Sequence, residues 1–132
     1  MEVRSMRSKL QDMPDGCLVE VAMEILGGRW KLSIVSKLLL GTHRFGELRR
    51  EMNGITQRML TRQLRELEED GIVSRTVYRE VPPRVEYSLT DTGRRLERIV
   101  HLLDEWGRWY AKRDRSANVS PERTLNEAGI SP

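Results

Sequence analysis

Two short helical patterns joined by a tight turn constrain the fold of this chain more than any other feature. The segments FGELRREM and TQRMLTRQLREL both repeat apolar residues at three- and four-residue intervals, which predicts amphipathic helices. The pair Asn53-Gly54 turns the chain between them, and Thr56 is placed to cap the second helix. The short connection makes the pair a helix-turn-helix.

Two further helices are predicted before this motif. Apolar residues repeat at helical spacing from Leu18 to Leu26 and stop at Gly27-Gly28, which terminates the helix. The segment from Trp30 to Leu40 is apolar around most of its circumference, so this second helix is expected at the centre of the core. A small strand is predicted from Thr42 to Arg44.

A hairpin and a long helix are predicted after the motif. β-Branched residues predict a strand from Ile72 to Tyr78, and an apolar–polar alternation predicts another from Val85 to Leu89. The loop between them holds Pro82-Pro83, and because proline lacks an N–H donor, the tip is expected to project beyond the paired strands. Thr90 is placed to cap a last long helix that continues through Tyr110.

Length and composition indicate one domain with polar ends. A chain of 132 residues is sufficient for a single core, predicted over residues 17–112. Residues 1–16 and 113–132 are polar and interrupted by proline and glycine, which predicts a flexible arm and a flexible tail. No signal peptide or membrane span is recognisable, and the single cysteine, Cys17, excludes an intrachain disulfide. A cytoplasmic protein without a membrane partner is predicted.

The positive charge of the motif is concentrated on one side of its second helix. From Arg44 to Arg65 the chain has six arginines and two acids, although the net charge of the whole chain is only +3. Opposite the leucines lie cations and small hydrogen-bonding groups, which suit the base edges and phosphates of a DNA major groove. The alternative is a solvated helix whose arginines pair with the acids at its end. The residues predicted to contact DNA are Thr56, Gln57, Arg58, Thr61, Arg62 and Arg65.

Arginines outside this helix are predicted to add contacts. Arg84 flanks the proline loop of the hairpin, where it is expected to enter the minor groove or to contact phosphates. Arg79, on the other side of the loop, is the less favoured alternative. Arg44 and Arg49 lie just before and on the first helix of the motif, where contacts to the DNA backbone are expected, with a solvated surface as the alternative.

The predicted order helix, helix, helix-turn-helix, hairpin, helix is that of a winged helix-turn-helix, an α+β fold that is mainly α. From about Cys17 to Tyr110 the sequence resembles the HxlR family of prokaryotic transcriptional regulators, relatives of the MarR group. The matching pieces are Cys17, GGRW, RFGELRR, GITQRMLTRQLRELEEDG, VPPRVEYSLT and the closing tryptophan helix. One departure is Leu18, because the family often has proline after that cysteine.

The resemblance implies a homodimer joined through helices at both ends of the fold. This dimer is expected to bind an inverted-repeat operator in double-stranded DNA. Repression by blocking polymerase is the favoured mode, although the family also contains activators. The apolar positions of the last helix are expected to form the dimer interface, and a pocket for an aromatic effector is the alternative. These positions are Leu96, Ile99, Leu103, Trp106, Trp109 and Tyr110.

Cys17 is a candidate sensor of oxidants or electrophiles. A helix N-terminus favours an anionic sulfur, whereas the nearby acids Asp12, Asp15 and Glu20 oppose it. The resemblance implies a sensor, since some family members sense oxidants or electrophiles through a cysteine at this position. A small buried apolar residue is an equal alternative, and so a non-covalent effector stays open.

Other kinds of site lack a recognisable pattern in the sequence. His43 and His101 have no metal-ligand spacing with each other or with Cys17, and no glycine-rich phosphate loop or nucleophile pattern is present. No metal, cofactor or enzymatic activity is therefore predicted. The remaining alternative is a winged-helix module that binds protein, for which the outer face of the second motif helix is expected to be apolar or mixed in charge rather than cationic.

Overall fold

The structure of the chain, a computed structural model, describes the backbone of residues 17–119 and the side chains of residues 17–113. The arm predicted over residues 1–16 and most of the predicted tail lie outside these residues. The chain divides into two compact units between Glu97 and Arg98. The first unit holds the predicted motif and hairpin, and the second is the C-terminal helix.

The first two helices agree closely with the sequence patterns. Helix α1 spans Leu18–Leu26 and helix α2 spans Lys31–Leu38, two residues shorter at its end than predicted. Ile34 and Val35 of α2 are fully buried, which confirms that this helix lies at the centre of the core. The apolar side of α1 contributes less to this core, because only its last two residues are buried.

The predicted helix-turn-helix is confirmed. Strand β1 spans His43–Arg44, helix α3 spans Phe45–Glu51 and helix α4 spans Gln57–Glu69. The Thr56 hydroxyl accepts a hydrogen bond of 3.0 Å from the backbone N–H of Met59, as expected of a cap. Three leucines of α4 are buried against the core, and the turn before the helix needs the left-handed backbone of Gly54 (φ +88°). The buried leucines are Leu60, Leu64 and Leu67.

The predicted hairpin is also confirmed. Strand β2 spans Val73–Tyr78, strand β3 spans Arg84–Leu89, and the antiparallel sheet has the order β1-β3-β2. Tyr78 lies opposite Arg84 at the open end of the hairpin. The loop 79–83 extends beyond this last pair and is exposed at every residue, so the tip projects as the prolines predict.

The prediction of one continuous C-terminal helix capped by Thr90 is wrong. Thr90 caps a four-residue helix, α5 at Asp91–Arg94, and the long helix α6 starts afresh at Glu97–Val119. The break has a tertiary cause: the Thr90 hydroxyl donates to the carbonyl of Gly71, and a Cβ on Gly93 would collide with the carbonyl oxygen of Ile72. These contacts hold α5 against the end of the sheet.

Helix α6 also runs further than the sequence pattern predicts. The flexible tail was expected from residue 113, but the helix continues to Val119. No proline or glycine lies between Arg113 and Val119, so polarity alone does not end the helix there. Proline first occurs after the helix, at Pro121.

Candidate nucleic-acid interface

The outward side of α4 is a continuous cationic surface. Five residues of this helix line a surface depression of about 570 Å³. We call them the cationic face: Gln57, Arg58, Thr61, Arg62 and Arg65. They lie opposite the buried leucines, so the packing of the core determines which side of α4 is turned to solvent.

Few acids approach the arginines of the cationic face. Within the described residues, no carboxylate forms an ion pair with Arg58 or Arg65. Arg62 has one partner, Glu66, at 3.3 Å, yet the Arg62 side chain remains 70% exposed. The alternative of a solvated helix neutralised by its own trailing acids therefore applies at most to Arg62, and the face keeps its positive charge.

An ion pair that sequence reasoning missed joins α4 to the core. The Nζ atom of Lys31 lies 2.6 Å from Oε1 of Glu66, and the Lys31 side chain is buried. This hydrogen bond from Lys31 is the main reason that the pKa of Glu66 is lowered, with a smaller contribution from Arg62 and with burial acting in the opposite direction. The pair fixes α4 to α2 beneath Arg62. The available signal was Lys31, a cation at the start of the helix that the sequence places at the centre of the core.

Arg84, which was predicted to enter the minor groove or to contact phosphates, lies against two carboxylates and an aromatic ring. Its guanidinium donates to Glu80 at 2.9 Å and to Glu86 at 3.1 Å, and its Cζ atom lies 3.9 Å from the centroid of the Tyr78 ring. The side chain is only 29% exposed. Arg79, the less favoured alternative, is the exposed arginine of this loop.

A second concave surface lies between α4 and the sheet. It has a volume of about 360 Å³, and the lining residues include Arg65 of α4 and Arg75 of β2. Arg75 was not predicted as a site residue, because the pattern of β2 shows only that its side chain is exposed. Glu68 lines the same cleft, so this surface carries both positive and negative charges.

The two arginines predicted just before and on the first motif helix are exposed. Arg44 precedes α3 and its backbone N–H donates to the Glu47 carboxylate at 2.7 Å, which caps the helix. Arg49 and the neighbouring Arg50 lie in the last turn of α3. All three side chains face solvent, and all three lie before the turn of the motif. The structure therefore presents them for contact without assigning them a ligand.

The second unit has an exposed apolar side. Ile99, Leu103, Trp106 and Tyr110 follow the alternating four- and three-residue spacing of a coiled-coil seam, and Trp109 flanks them. These five residues, which we call the aromatic stripe, are between 42% and 59% exposed. The Trp106 and Tyr110 rings stack with centroids 5.1 Å apart.

The exposed apolar residues of α6 differ in two positions from those predicted for the dimer interface. Leu96 is buried within the core of the first unit, so it separates from the other five residues. Leu102, which was not predicted, is about half exposed beside the stripe. The break before α6 explains the first difference, because Leu96 belongs to the turn and not to the long helix.

Cys17 lies at the start of α1. It is the N-cap residue of that helix, and its side chain is partly exposed and makes no capping hydrogen bond. Three apolar side chains of α1 nearby are exposed as well, namely Leu18, Val19 and Met23. The thiol therefore lies next to an apolar surface rather than inside the core.

Residues 17–119 contain neither a metal-ligand cluster nor a membrane-spanning helix. No group of three or more histidine, cysteine or acidic residues in this part of the chain is arranged to hold a metal ion. Among the same residues, no helix is long and apolar enough to cross a membrane.

Comparison with known proteins gives the family. The model of the HxlR-like helix-turn-helix matches residues 25–115, which include α2 to α5 and most of the aromatic stripe's helix. The chain belongs to the HxlR-like helix-turn-helix family. Cys17 lies before the matched residues.

Individual relatives of this family agree with the assignment. The chain is 56% identical over 93 residues to the uncharacterized HTH-type transcriptional regulator YybR of Bacillus subtilis (strain 168), covering 70% of this chain and 74% of that protein. It is 55% identical to the redox regulator HypR in its oxidized form, with a TM-score of 0.67, covering 70% of this chain and 95% of that one. For the reduced form of HypR the identity is 52%, the TM-score 0.71 and the coverage 75% and 98%.

These matches settle the general function of the HxlR-like chain. It is a transcriptional regulator with a helix-turn-helix domain, in a family whose members bind DNA through that domain. The fold is a winged helix-turn-helix, mainly helical with a small antiparallel sheet. Helices α3 and α4 are the two helices of the motif, and the hairpin of β2 and β3 is the wing.

Proposed function

We propose that this regulator binds a specific inverted-repeat operator as a homodimer, with α4 in the major groove. The observation that supports the proposal is the cationic face, on which Arg58 and Arg65 have no acidic partner in the described part of the chain. A face of this kind gains free energy from phosphates and guanine edges and little from a neutral or basic protein surface.

Each part of the motif has a role in this proposal. Arg58, Arg62 and Arg65 reach base edges or adjacent phosphates, with Arg62 as the reader of a guanine. The Gln57 and Thr61 side chains add hydrogen bonds, and Thr56 at the helix N-terminus lies where a phosphate is favoured. Before the turn, the arginines Arg44 and Arg49 contact the DNA backbone.

The aromatic stripe supports the dimer. Five large apolar side chains on one side of a single helix form a surface that a monomer has little reason to expose. A second copy of α6 covers this surface in an isologous interface, and the exposed apolar residues of α1 add separate contacts between the subunits. Two-fold symmetry then requires an inverted repeat, with the two copies of α4 about 34 Å apart along the DNA.

The salt dependence of binding tests the DNA proposal. An operator is first selected from genomic fragments, and its affinity is then measured by fluorescence anisotropy over a range of salt concentrations. The logarithm of affinity should fall linearly with the logarithm of salt, by about 0.9 for each phosphate contacted. A slope near zero, or binding only to protein, contradicts the proposal. As a control, Arg94→Ala removes an exposed arginine of α5, outside the motif, and should leave this slope unchanged.

The favoured mode of action is repression in the cytoplasm. A dimer that covers its operator excludes polymerase from an overlapping promoter, which needs no further contact surface on the regulator. Transcription in vitro from a promoter that contains the selected operator should fall as the protein is added. An increase in transcript contradicts repression while leaving DNA binding intact.

We also propose that Cys17 makes operator binding sensitive to oxidants. Two observations support this: the Cys17 thiol is partly exposed at the start of α1, and two of the similar solved structures are those of a redox regulator in its oxidized and reduced forms. With one cysteine per chain, diamide can oxidise two Cys17 thiols to one disulfide between subunits, or one thiol with a small free thiol, and is itself reduced to the hydrazine.

The test compares the native protein with Cys17→Ser. Operator affinity is titrated with diamide for both, and the products are separated on a non-reducing gel. Only the native protein should lose or gain affinity, and a reducing agent should reverse the change. Equal responses of the two proteins return Cys17 to a structural role and favour a non-covalent effector instead.

A further inference from the structure

The wing contains one arginine whose surroundings indicate a role other than contact with DNA. Arg84 is the first residue of β3 and lies opposite Tyr78, the last residue of β2. Its Nη2 atom donates to Glu80 in the loop and its Nη1 atom donates to Glu86 on β3. The guanidinium lies over the Tyr78 ring at 3.9 Å. One side chain therefore joins both strands and the loop between them.

The local charge disfavours a phosphate at Arg84. Two carboxylates surround a single guanidinium, so the cluster of Arg84, Glu80 and Glu86 has a net negative formal charge. A phosphate would have to displace both carboxylates and the ring contact while being repelled by the acids. The Nε atom of Arg84 is buried and has no hydrogen-bond partner within residues 17–113, so it is not directed to the surface either.

Arg79 lies in a different environment in the same loop. It is exposed, and in the described residues no carboxylate forms an ion pair with it. It immediately precedes Glu80, which Arg84 holds. Any contact that restrains Glu80 therefore also restrains the backbone from which the Arg79 side chain extends.

We infer that Arg84 is a positioning residue that orders the wing loop, and that Arg79 is the wing cation that contacts the DNA backbone. The inference rests on the proposed DNA-binding function. Ordering a loop before binding removes an entropic cost that would otherwise reduce the affinity. The fork of the guanidinium is needed for this role, since it bridges two carboxylates and stacks on a ring at the same time, which an ammonium group cannot do.

Three variants test the inference: Arg84→Lys, Arg84→Met and Arg79→Met. Arg84→Lys keeps the charge but loses the fork, so it should weaken operator binding roughly threefold to tenfold, as expected when a loop must be ordered on binding. Its salt slope should equal that of the native protein. Arg79→Met should instead reduce the salt slope by about 0.9, the value for one lost phosphate contact.

A direct contact by Arg84 gives the opposite pattern. Arg84→Lys would then keep nearly the native affinity, because lysine also binds phosphate, and Arg84→Met would reduce the salt slope by about 0.9. That pair of results overturns the inference. So does an Arg79→Met protein with the native slope.

Hydrogen exchange in the absence of DNA separates this inference from the proposed function. Both substitutions at Arg84 should accelerate exchange of the loop amides of Arg79, Glu80 and Val81, whereas Arg79→Met should not. Unchanged exchange in the Arg84 variants overturns the positioning role even if DNA binding is normal. If no operator binds, the proposed function fails, and exchange alone decides whether Arg84 orders the loop. Thermal unfolding by circular dichroism verifies that each variant is folded.

Discussion

The cationic face of α4 and the aromatic stripe of α6 are both exposed sides of amphipathic helices, but their chemistry calls for different partners. The first presents arginines and hydrogen-bonding groups above buried leucines. The second presents two tryptophans, a tyrosine and two aliphatic residues, while Arg108 pairs with Asp104 at 2.7 Å elsewhere on the helix. Exposure alone therefore does not indicate what a helix binds.

The difference between these two faces predicts opposite responses to salt. Binding by the cationic face depends on releasing counterions from DNA, and it weakens as salt rises. Association through the aromatic stripe depends on removing apolar surface from water, which salt does not screen. We therefore expect that a salt concentration high enough to release the operator leaves the protein dimeric.

The largest expected effect comes from placing charge in the aromatic stripe. The double variant Leu103→Glu, Trp106→Glu buries unpaired carboxylates in any interface formed by α6, so we expect a monomer in sedimentation. Because a monomer binds one half-site at a time, operator affinity should fall by about a hundredfold or more, the typical loss when two linked sites are separated. His101→Glu places a carboxylate on the side of α6 opposite to the stripe, so this control should remain dimeric. A dimeric double variant would show that the stripe has another partner.

A smaller effect is expected from the cationic face. Arg62→Ala should cost on the order of 1 to 3 kcal/mol of binding free energy and relax the preference at one base pair, since a bidentate contact to guanine is lost. Affinity for a set of operators changed at single positions measures both effects. The variant should stay dimeric, which separates this face from the stripe. A loss that is equal for all operators assigns Arg62 to a phosphate and contradicts base reading.

The smallest expected effect is on the free energy of unfolding, and it comes from the ion pair of Lys31 and Glu66. The pKa of Glu66 is lowered in the folded state, chiefly by its hydrogen bond from Lys31. Its contribution to stability is therefore fully present above the unfolded pKa of a glutamate and is lost as pH falls through the lowered folded value. Because Glu66 is partly exposed, we expect a contribution on the order of 1 kcal/mol or less.

Urea denaturation at neutral and acidic pH measures this contribution. The loss of stability between the two conditions should be smaller in Glu66→Gln than in the native protein. Glu68→Gln keeps the Lys31–Glu66 pair and so should lose as much stability in acid as the native protein does. An equal acid-dependent loss in Glu66→Gln would show that the pair does not contribute.

Local patterns were sufficient for the helix-turn-helix. The cap at Thr56, the turn before it and the buried leucines of α4 each depend on residues a few positions apart, so the sequence predicts them correctly. The outward direction of the cationic face follows from the same periodicity. The wing strands were predicted for the same reason, because alternation and proline are local signals.

The errors and omissions concern contacts between residues far apart in the sequence. Helix α6 is separated from α5 because Gly93 packs against the carbonyl of Ile72, a contact that no helical periodicity contains. The ion pair of Lys31 and Glu66 requires α2 and α4 to be adjacent in the core.

By itself, the sequence determined which elements form, which sides of them are apolar and where positive charge is concentrated, because these properties depend on side-chain type and on the helix and strand periods. The tertiary structure decided which of the positive side chains are exposed and unpaired enough to contact DNA. The sequence predicts a DNA contact for both Arg62 and Arg84. In the structure, however, the Arg62 side chain is 70% exposed, whereas Arg84 lies between two carboxylates and over the Tyr78 ring. The physical reason for the position of Arg84 is the strand register, which brings Tyr78 opposite Arg84. The loop between the strands then places Glu80 within hydrogen-bond distance of the same guanidinium.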